Sequence, residues 1–147
     1  MEMAIYTPSY ADLPAEASAH APRLGGYVLA IDDDPAIIDL LVSLLRDDEG
    51  FTMHTAYSIH QALEQPPQEP PALILLDVSL PGENTEEGVR RLLAQAGWEH
   101  VPVLLCSGKE GLDSAARALG AVAYMKKPFN LDAVVSVVGL YARPADA

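Results

Sequence analysis

At 147 residues, half of them hydrophobic, the chain is long enough to bury one good core and too short for two. Its formal net charge of -12 excludes a binder of nucleic-acid backbone, which needs clustered Lys and Arg, and its single cysteine excludes a disulfide framework. No apolar run is long enough to span a bilayer and no basic-then-apolar leader opens the chain, so a cytoplasmic protein is expected, with neither nucleic acid nor membrane as partner.

Residues 1–26 are rich in Ala, Pro and Ser, lack periodicity and end in Gly25-Gly26. They are expected to form a flexible arm outside the domain, with Ile5, Tyr6, Tyr10 and Leu13 as its contacts if it docks. Tyr27 to Ile31 is the first predicted strand. In the Asp32-Asp33-Asp34-Pro35 sequence that ends it, Pro35 suits the first helical position and Asp34 the N-cap. Ile37, Ile38, Leu41, Leu44 and Leu45 then mark an amphipathic helix that stops at Asp47 to Gly50. Phe51 to Ala56 alternates like an edge strand, and Ser58 caps a short helix to Gln65. Pro66 to Pro71 cannot be helix.

Leu73-Ile74-Leu75-Leu76 runs straight into Asp77, with a Pro81-Gly82 turn shortly after. Such a run reads as a strand buried on both faces. A polar loop from Glu83 to Glu87 leads to a helix predicted over about Gly88 to Ala96. Val101 to Cys106 is the fourth strand, ending at Ser107-Gly108, and Gly111 to Leu119 is a helix closed by Gly120. Ala121 to Lys126 is the fifth strand, followed by Lys127-Pro128-Phe129, and Asn130 caps a last helix to about Tyr141. The alternation predicts an α/β fold: a doubly wound, five-stranded parallel sheet with helices on both faces, in one domain over residues 27–143 with a tail at 144–147.

In a parallel sheet the carboxyl ends of the strands lie on one edge, where such folds keep their chemistry. That edge collects Asp32, Asp33, Asp34, Asp77, Ser107 and Lys127. Converging carboxylates repel unless a cation holds them, and oxygen ligands favour a hard ion such as Mg²⁺ where a phosphoryl group completes the shell. A carboxylate can attack phosphorus, a lysine can neutralise phosphoryl oxygens, and a hydroxyl can donate to one of them. The set is consistent with a phosphoryl-accepting site.

These segments resemble the receiver domain of two-component response regulators. Tyr27 to Asp34 is similar to that family's first strand with its acidic pair, and Leu73 to Gly82 to its phosphorylation-site strand. Pro102 to Gly108 is similar to the strand ending in Ser or Thr, and Gly120 to Phe129 to the Gly-Ala…Tyr…Lys-Pro-Phe signature. The resemblance covers Tyr27 to Arg143 and implies a flavodoxin-like strand order of 2-1-3-4-5. It implies Asp77 as the phospho-acceptor, with Asp32, Asp33, Asp77 and the backbone carbonyl of Ser79 around Mg²⁺. Ser107 and Tyr124 are the implied switch pair, and Lys127 the implied phosphoryl partner, with Lys126 a solvated neighbour. The implied partners are a sensor histidine kinase or phosphotransfer protein and a downstream protein target. Such a protein is a stand-alone signalling receiver rather than an enzyme, catalysing only its own phosphotransfer and autodephosphorylation.

Several features stand apart from the family pattern. The loop from Asp77 to Gly88 is longer and acidic, and Ser79 and Lys109 lie two residues after Asp77 and Ser107, where they would border a phosphoryl group and where Lys109 would set its lifetime. In the last helix, Leu131, Val134, Val135 and Val138 are expected to cover the sheet. That leaves Ala133, Val137, Leu140 and Tyr141 as an exposed apolar stripe for a partner or for a homodimer through the fourth helix, fifth strand and last helix. Cys106 is expected in the core, and the four histidines, which lack metal-ligand spacing, at the surface. The alternative reading is a receiver-like scaffold that is never phosphorylated. An Asp-nucleophile phosphatase would want a second acid at position 79, and three aspartates after the first strand disfavour a flavin phosphate site.

Overall fold

The computed structural model describes residues 5–6, 23–24, 26–64, 66–67, 69–80, 82, 84–108 and 112–144. Two short strands come first, β1 (Ile5–Tyr6) and β2 (Arg23–Leu24). Strands and helices then alternate: β3 (Tyr27–Ile31), α1 (Pro35–Leu41, continued by π-helical turns over Val42–Asp48), β4 (Thr52–Ala56), α2 (Ile59–Glu64) and β5 (Leu73–Asp77). They continue with α3 (Thr85–Leu93), β6 (Val103–Ser107), α4 (Leu112–Leu119), β7 (Ala123–Lys126), α5 (Leu131–Tyr141) and β8 (Ala142–Arg143).

The five strands from β3 to β7, leaving out β1, pair in parallel in the order β4-β3-β5-β6-β7, which is the expected 2-1-3-4-5 counted from Tyr27. Every residue of β3, β5 and β6 is buried, as their near-continuous apolar sequences require of strands covered on both faces. On one face Val28, Ala30, Leu73, Leu75, Leu104 and Met125 pack with α1 and α5 through Ile38, Leu41, Val134 and Val138. On the other, Leu29, Ile31, Ile74, Leu76 and Leu105 pack with α2, α3 and α4 through Ile59, Val89, Leu92 and Ala116, and Trp98 joins this layer. Fully burying each Leu, Ile or Val contributes about 1.5–3 kcal/mol, so the central strands are held firmly, and with them whatever stands at their ends.

The helix starts follow the capping chemistry. Asp34 Oδ1 accepts from Ala36 N at 2.9 Å, Ser58 Oγ from Gln61 N at 3.0 Å, and Asn130 Oδ1 from Ala133 N at 3.1 Å. Gly120, with φ of 67°, ends α4 in the left-handed region that glycine occupies without strain. The third helix begins earlier than Gly88. Asn84 caps it, accepting from Glu87 N at 3.0 Å, and Glu86 and Glu87 occupy its first turn. Carboxylates there favour the helix dipole, so residues read as acidic loop are helix.

The last helix departs from expectation in its phase. Val134, Val137, Val138 and Tyr141 form the buried stripe, spaced i, i+3, i+4 and i+7. Val137 and Tyr141 are 2% and 4% exposed, so neither belongs to an exposed partner face, while Leu131 and Leu140 are 40% and 41% exposed. Ala133 is partly buried against the core. The sequence offers overlapping stripes, and the tie is broken at the C-terminal end, where Tyr141 and Ala142 both enter the core.

The arm also contributes structure. β1 pairs antiparallel with β7, Ile5 opposite Met125 and Tyr6 opposite Tyr124, and extends the sheet at that edge. β2 pairs in parallel with β8, Arg23 opposite Ala142 and Leu24 opposite Arg143. Tyr10, Leu13 and Lys109 lie outside the described residues, as do residues 145–147 of the tail.

Candidate functional site

The site is assembled at the carboxyl ends of β3, β5, β6 and β7. Asp32 follows β3, Asp77 closes β5, Ser107 closes β6, and Lys127 follows β7. Parallel register aligns these ends: Ile31 pairs with Leu76, Asp77 with Cys106, and Ser107 with Lys126. Four segments distant in sequence therefore deliver their chemistry to one edge, as expected of this architecture.

Asp32 and Asp77 are both buried, whereas Asp33 is exposed. The Lys127 ammonium reaches both buried carboxylates, lying 2.6 Å from Asp32 Oδ2 and 3.4 Å from Asp77 Oδ2. The other carboxylate oxygens are held by main-chain donors: Asp34 N donates to Asp32 Oδ1 at 2.9 Å, and Ser79 N to Asp77 Oδ1 at 2.8 Å. Each buried charge is thus both paired and hydrogen-bonded, the condition for keeping a charge inside a protein. Desolvation pulls the Lys127 pKa down, but the hydrogen bond that the ammonium donates to Asp32 and the charges of Asp77 and Asp32 outweigh it, and the pKa stands above its ordinary value.

Asp32, Asp33 and Asp77 each present a carboxylate oxygen, and these oxygens all lie within 4.8 Å of one another. Three carboxylates beside one ammonium leave a local charge of about -2 on an all-oxygen donor set, which fits a hard divalent cation. One donor exposed and two buried leaves the cluster open on the side where a ligand would arrive.

Ser107 is fully buried, and its Oγ lies 2.6 Å from Ser79 Oγ. The Ser107 carbonyl accepts from Lys127 N at 2.9 Å, tying the β6 end to the lysine's own main chain. Tyr124 is half-buried on β7 opposite Leu105 and packs against the layer containing α4. Lys126, expected to be a solvated neighbour, is half-buried. Cys106 faces the layer of α1 and α5, and burial pushes its thiol pKa up to about 12.

Residues 28–139 match the model of the response regulator receiver domain. The chain belongs to the receiver domain family. The receiver domain is 34% identical over 113 residues to the nitrogen assimilation regulatory protein NtrX of Azorhizobium caulinodans, covering 75% of this chain and 24% of that protein. It therefore spans about a quarter of that curated relative's length. Among solved structures it is similar to a response regulator receiver protein from Burkholderia phymatum, with a TM-score of 0.65 at 33% identity, covering 81% of this chain and 98% of that one. It is also similar to the chemotaxis response regulator CheY4 of Vibrio cholerae, with a TM-score of 0.68 at 25% identity, covering 77% and 95%. Receiver domains are signalling proteins, and no helix among the described residues of this one is long and apolar enough to cross a membrane.

Two participants were not legible as such in the sequence. The Ser79 side chain is bonded to Ser107, whereas its position in the sequence points to a backbone carbonyl for the metal and a place bordering the phosphoryl group. Thr85 Oγ1 donates to the carbonyl of Val78 at 3.1 Å and fastens the start of α3 to the residue after Asp77. A hydroxyl two residues past a strand-end aspartate was the available signal for the first, and an Asn-Thr-Glu-Glu helix start for the second.

Proposed function

We propose that Asp77 accepts a phosphoryl group from a phosphohistidine donor on a sensor kinase or phosphotransfer protein. An Asp77 carboxylate oxygen attacks phosphorus, the phosphorus–oxygen bond forms as the phosphorus–nitrogen bond breaks, and the electron pair of the broken bond goes to the departing imidazole nitrogen, with the imidazole taking a proton from solvent to leave neutral. The acceptor reading falls on Asp77 because it closes the central strand, faces the Lys127 ammonium and lies beside the strand that ends in Ser107. The observation that carries this reading is the bridge from Lys127 to both Asp32 and Asp77, which keeps a cationic group beside the attacking carboxylate.

The Lys127 ammonium then has phosphoryl oxygens to pair with, and the Ser107 hydroxyl has one to donate to. The chemistry supplied by bound Mg²⁺ is neutralisation of charge on the phosphoryl oxygens, and Asp32, Asp33 and Asp77 with the Ser79 carbonyl would hold it. Movement of Ser107 with Tyr124 would remodel the face of α4, β7 and α5, a bistable element biased by a local charge change. Leu131 and Leu140 of α5 are exposed apolar residues that a downstream protein target could cover. The reading is of a cytoplasmic receiver that acts through protein contacts.

The test is intact mass after incubation with Mg²⁺ and acetyl phosphate, beside Asp77→Asn. One added phosphoryl group in the wild type and none in the variant is the expected result. No adduct under any divalent metal would leave a receiver-like scaffold that is never phosphorylated.

A further inference from the structure

We propose that Ser79 is a latch on the switch hydroxyl: its Oγ holds Ser107 in the resting protein, and phosphorylation of Asp77 has to break that bond. The inference rests on reading Asp77 as the acceptor and Ser107 as the hydroxyl that meets the phosphoryl group. Ser79 touches both. Its main-chain N–H donates to Asp77 Oδ1 at 2.8 Å, while its side chain lies 2.6 Å from Ser107 Oγ, at the short end of hydroxyl–hydroxyl hydrogen bonds. One residue thus joins the carboxylate that is modified to the hydroxyl that responds, residues 30 positions apart in the chain.

A serine hydroxyl has one hydrogen to give. If Ser107 is the donor, that hydrogen is committed to Ser79 and must be withdrawn before it can reach a phosphoryl oxygen. If Ser79 is the donor, Ser107 is still tethered, and its approach to Asp77 stretches the bond. Either way the latch stabilises the resting arrangement alone. Its position is also fixed by the acceptor, because the Ser79 main chain is bonded to an oxygen of the carboxylate that phosphorylation alters. Ser107 is fully buried and Ser79 partly so, which means water competes weakly for the contact. Ser79 is a positioning residue: it acts through Ser107, and it sets how far the switch is biased before any phosphoryl group arrives.

A ligand can shift a two-state equilibrium only by its differential affinity for the two states, so removing an interaction present in one state raises the apparent affinity of a ligand that selects the other. One neutral hydrogen bond corresponds to roughly a 2- to 10-fold change. The experiment is titration with beryllofluoride, an anion of phosphoryl shape, in the presence of magnesium chloride, followed by ¹⁹F NMR. Ser79→Ala is expected to bind about 2- to 10-fold more tightly than the wild type. Ser79→Gly, which also lacks the hydroxyl, is expected to shift the same way, and Ser79→Thr, which keeps it, to stay near the wild-type value. In a Ser107→Ala background, Ser79→Ala is expected to change nothing, a result that a merely structural role would not produce. Equal or weaker binding by both hydroxyl-free variants, or the same gain without Ser107, overturns the latch. Failure of the wild type to bind beryllofluoride overturns the phospho-acceptor reading and the latch with it.

Discussion

Lys127 Nζ lies 2.6 Å from Asp32 Oδ2, a hydrogen-bonded ion pair between residues 95 positions apart in the chain. The lysine side chain is 20% exposed and the aspartate 4%, so the pair sits where water screens it little. The same ammonium faces Asp77, and it is the cation that the described residues place among the three clustered carboxylates.

Lys127→Ala is therefore expected to lower the unfolding free energy by about 2 kcal/mol in metal-free buffer, because two buried carboxylates lose their counter-charge. Added Mg²⁺ should restore part of the loss by binding the folded state. Urea denaturation with and without Mg²⁺ reads both effects. Equal stability of variant and wild type in metal-free buffer would contradict the pairing.

Alkaline pH should destabilise the fold. Cys106, with an ordinary value of 9.0, is pushed up to about 12 by burial, and burial raises Tyr141 as well. A raised folded pKa means that the folded state keeps its proton where the unfolded state has lost it. The contribution is complete below the unfolded value and disappears as pH climbs through the folded one. Unfolding free energy should fall between about pH 9 and pH 12, and Cys106→Ala should flatten the slope in that window. A native thiol that reacts rapidly with iodoacetamide at pH 8 would contradict the burial.

The phase of α5 separates two substitutions that look alike in the sequence. Val137→Ala removes buried methyls and should cost about 1–2 kcal/mol. Leu140→Ser, on the exposed side, should stay within about 0.5 kcal/mol of the wild type. Chemical denaturation distinguishes them, and a Val137→Ala variant as mild as Leu140→Ser would restore the stripe of Ala133, Val137, Leu140 and Tyr141 as the outer face.

What the sequence could and could not disclose follows from the range of the interactions. Leu73 to Asp77 declared itself because a strand buried on both faces leaves an unbroken apolar run, and parallel topology then dictates that Asp32, Asp77, Ser107 and Lys127 meet. Asp34, Ser58 and Asn130 were legible as caps because capping is local. The phase of α5 was not, since Leu131, Val134, Val135, Val137, Val138 and Tyr141 satisfy more than one helical stripe and only packing chooses between them. The Ser79–Ser107 bond and the β1 pairing with β7 are long-range contacts, and the position of Ser79 two residues past Asp77 marks it as near the site without naming its partner.

The β1 pairing carries a prediction of its own. Removing residues 1–26 takes away β1, the antiparallel partner of β7, and exposes an edge beside Tyr124. Amide exchange at Tyr124, whose N–H faces β1, should accelerate about tenfold or more while the central strands β3, β5 and β6 keep their protection. Unchanged exchange along β7 would show that the arm does not close that edge.

The central claim, that Asp77 carries the phosphoryl group, is tested most directly by borohydride trapping. Reduction of an aspartyl-phosphate converts that residue to homoserine, and peptide mass spectrometry locates it. After treatment with acetyl phosphate and Mg²⁺, homoserine at position 77 and nowhere else is the predicted result. Homoserine at position 32 or 33, or none in a preparation that has gained phosphate, would contradict it.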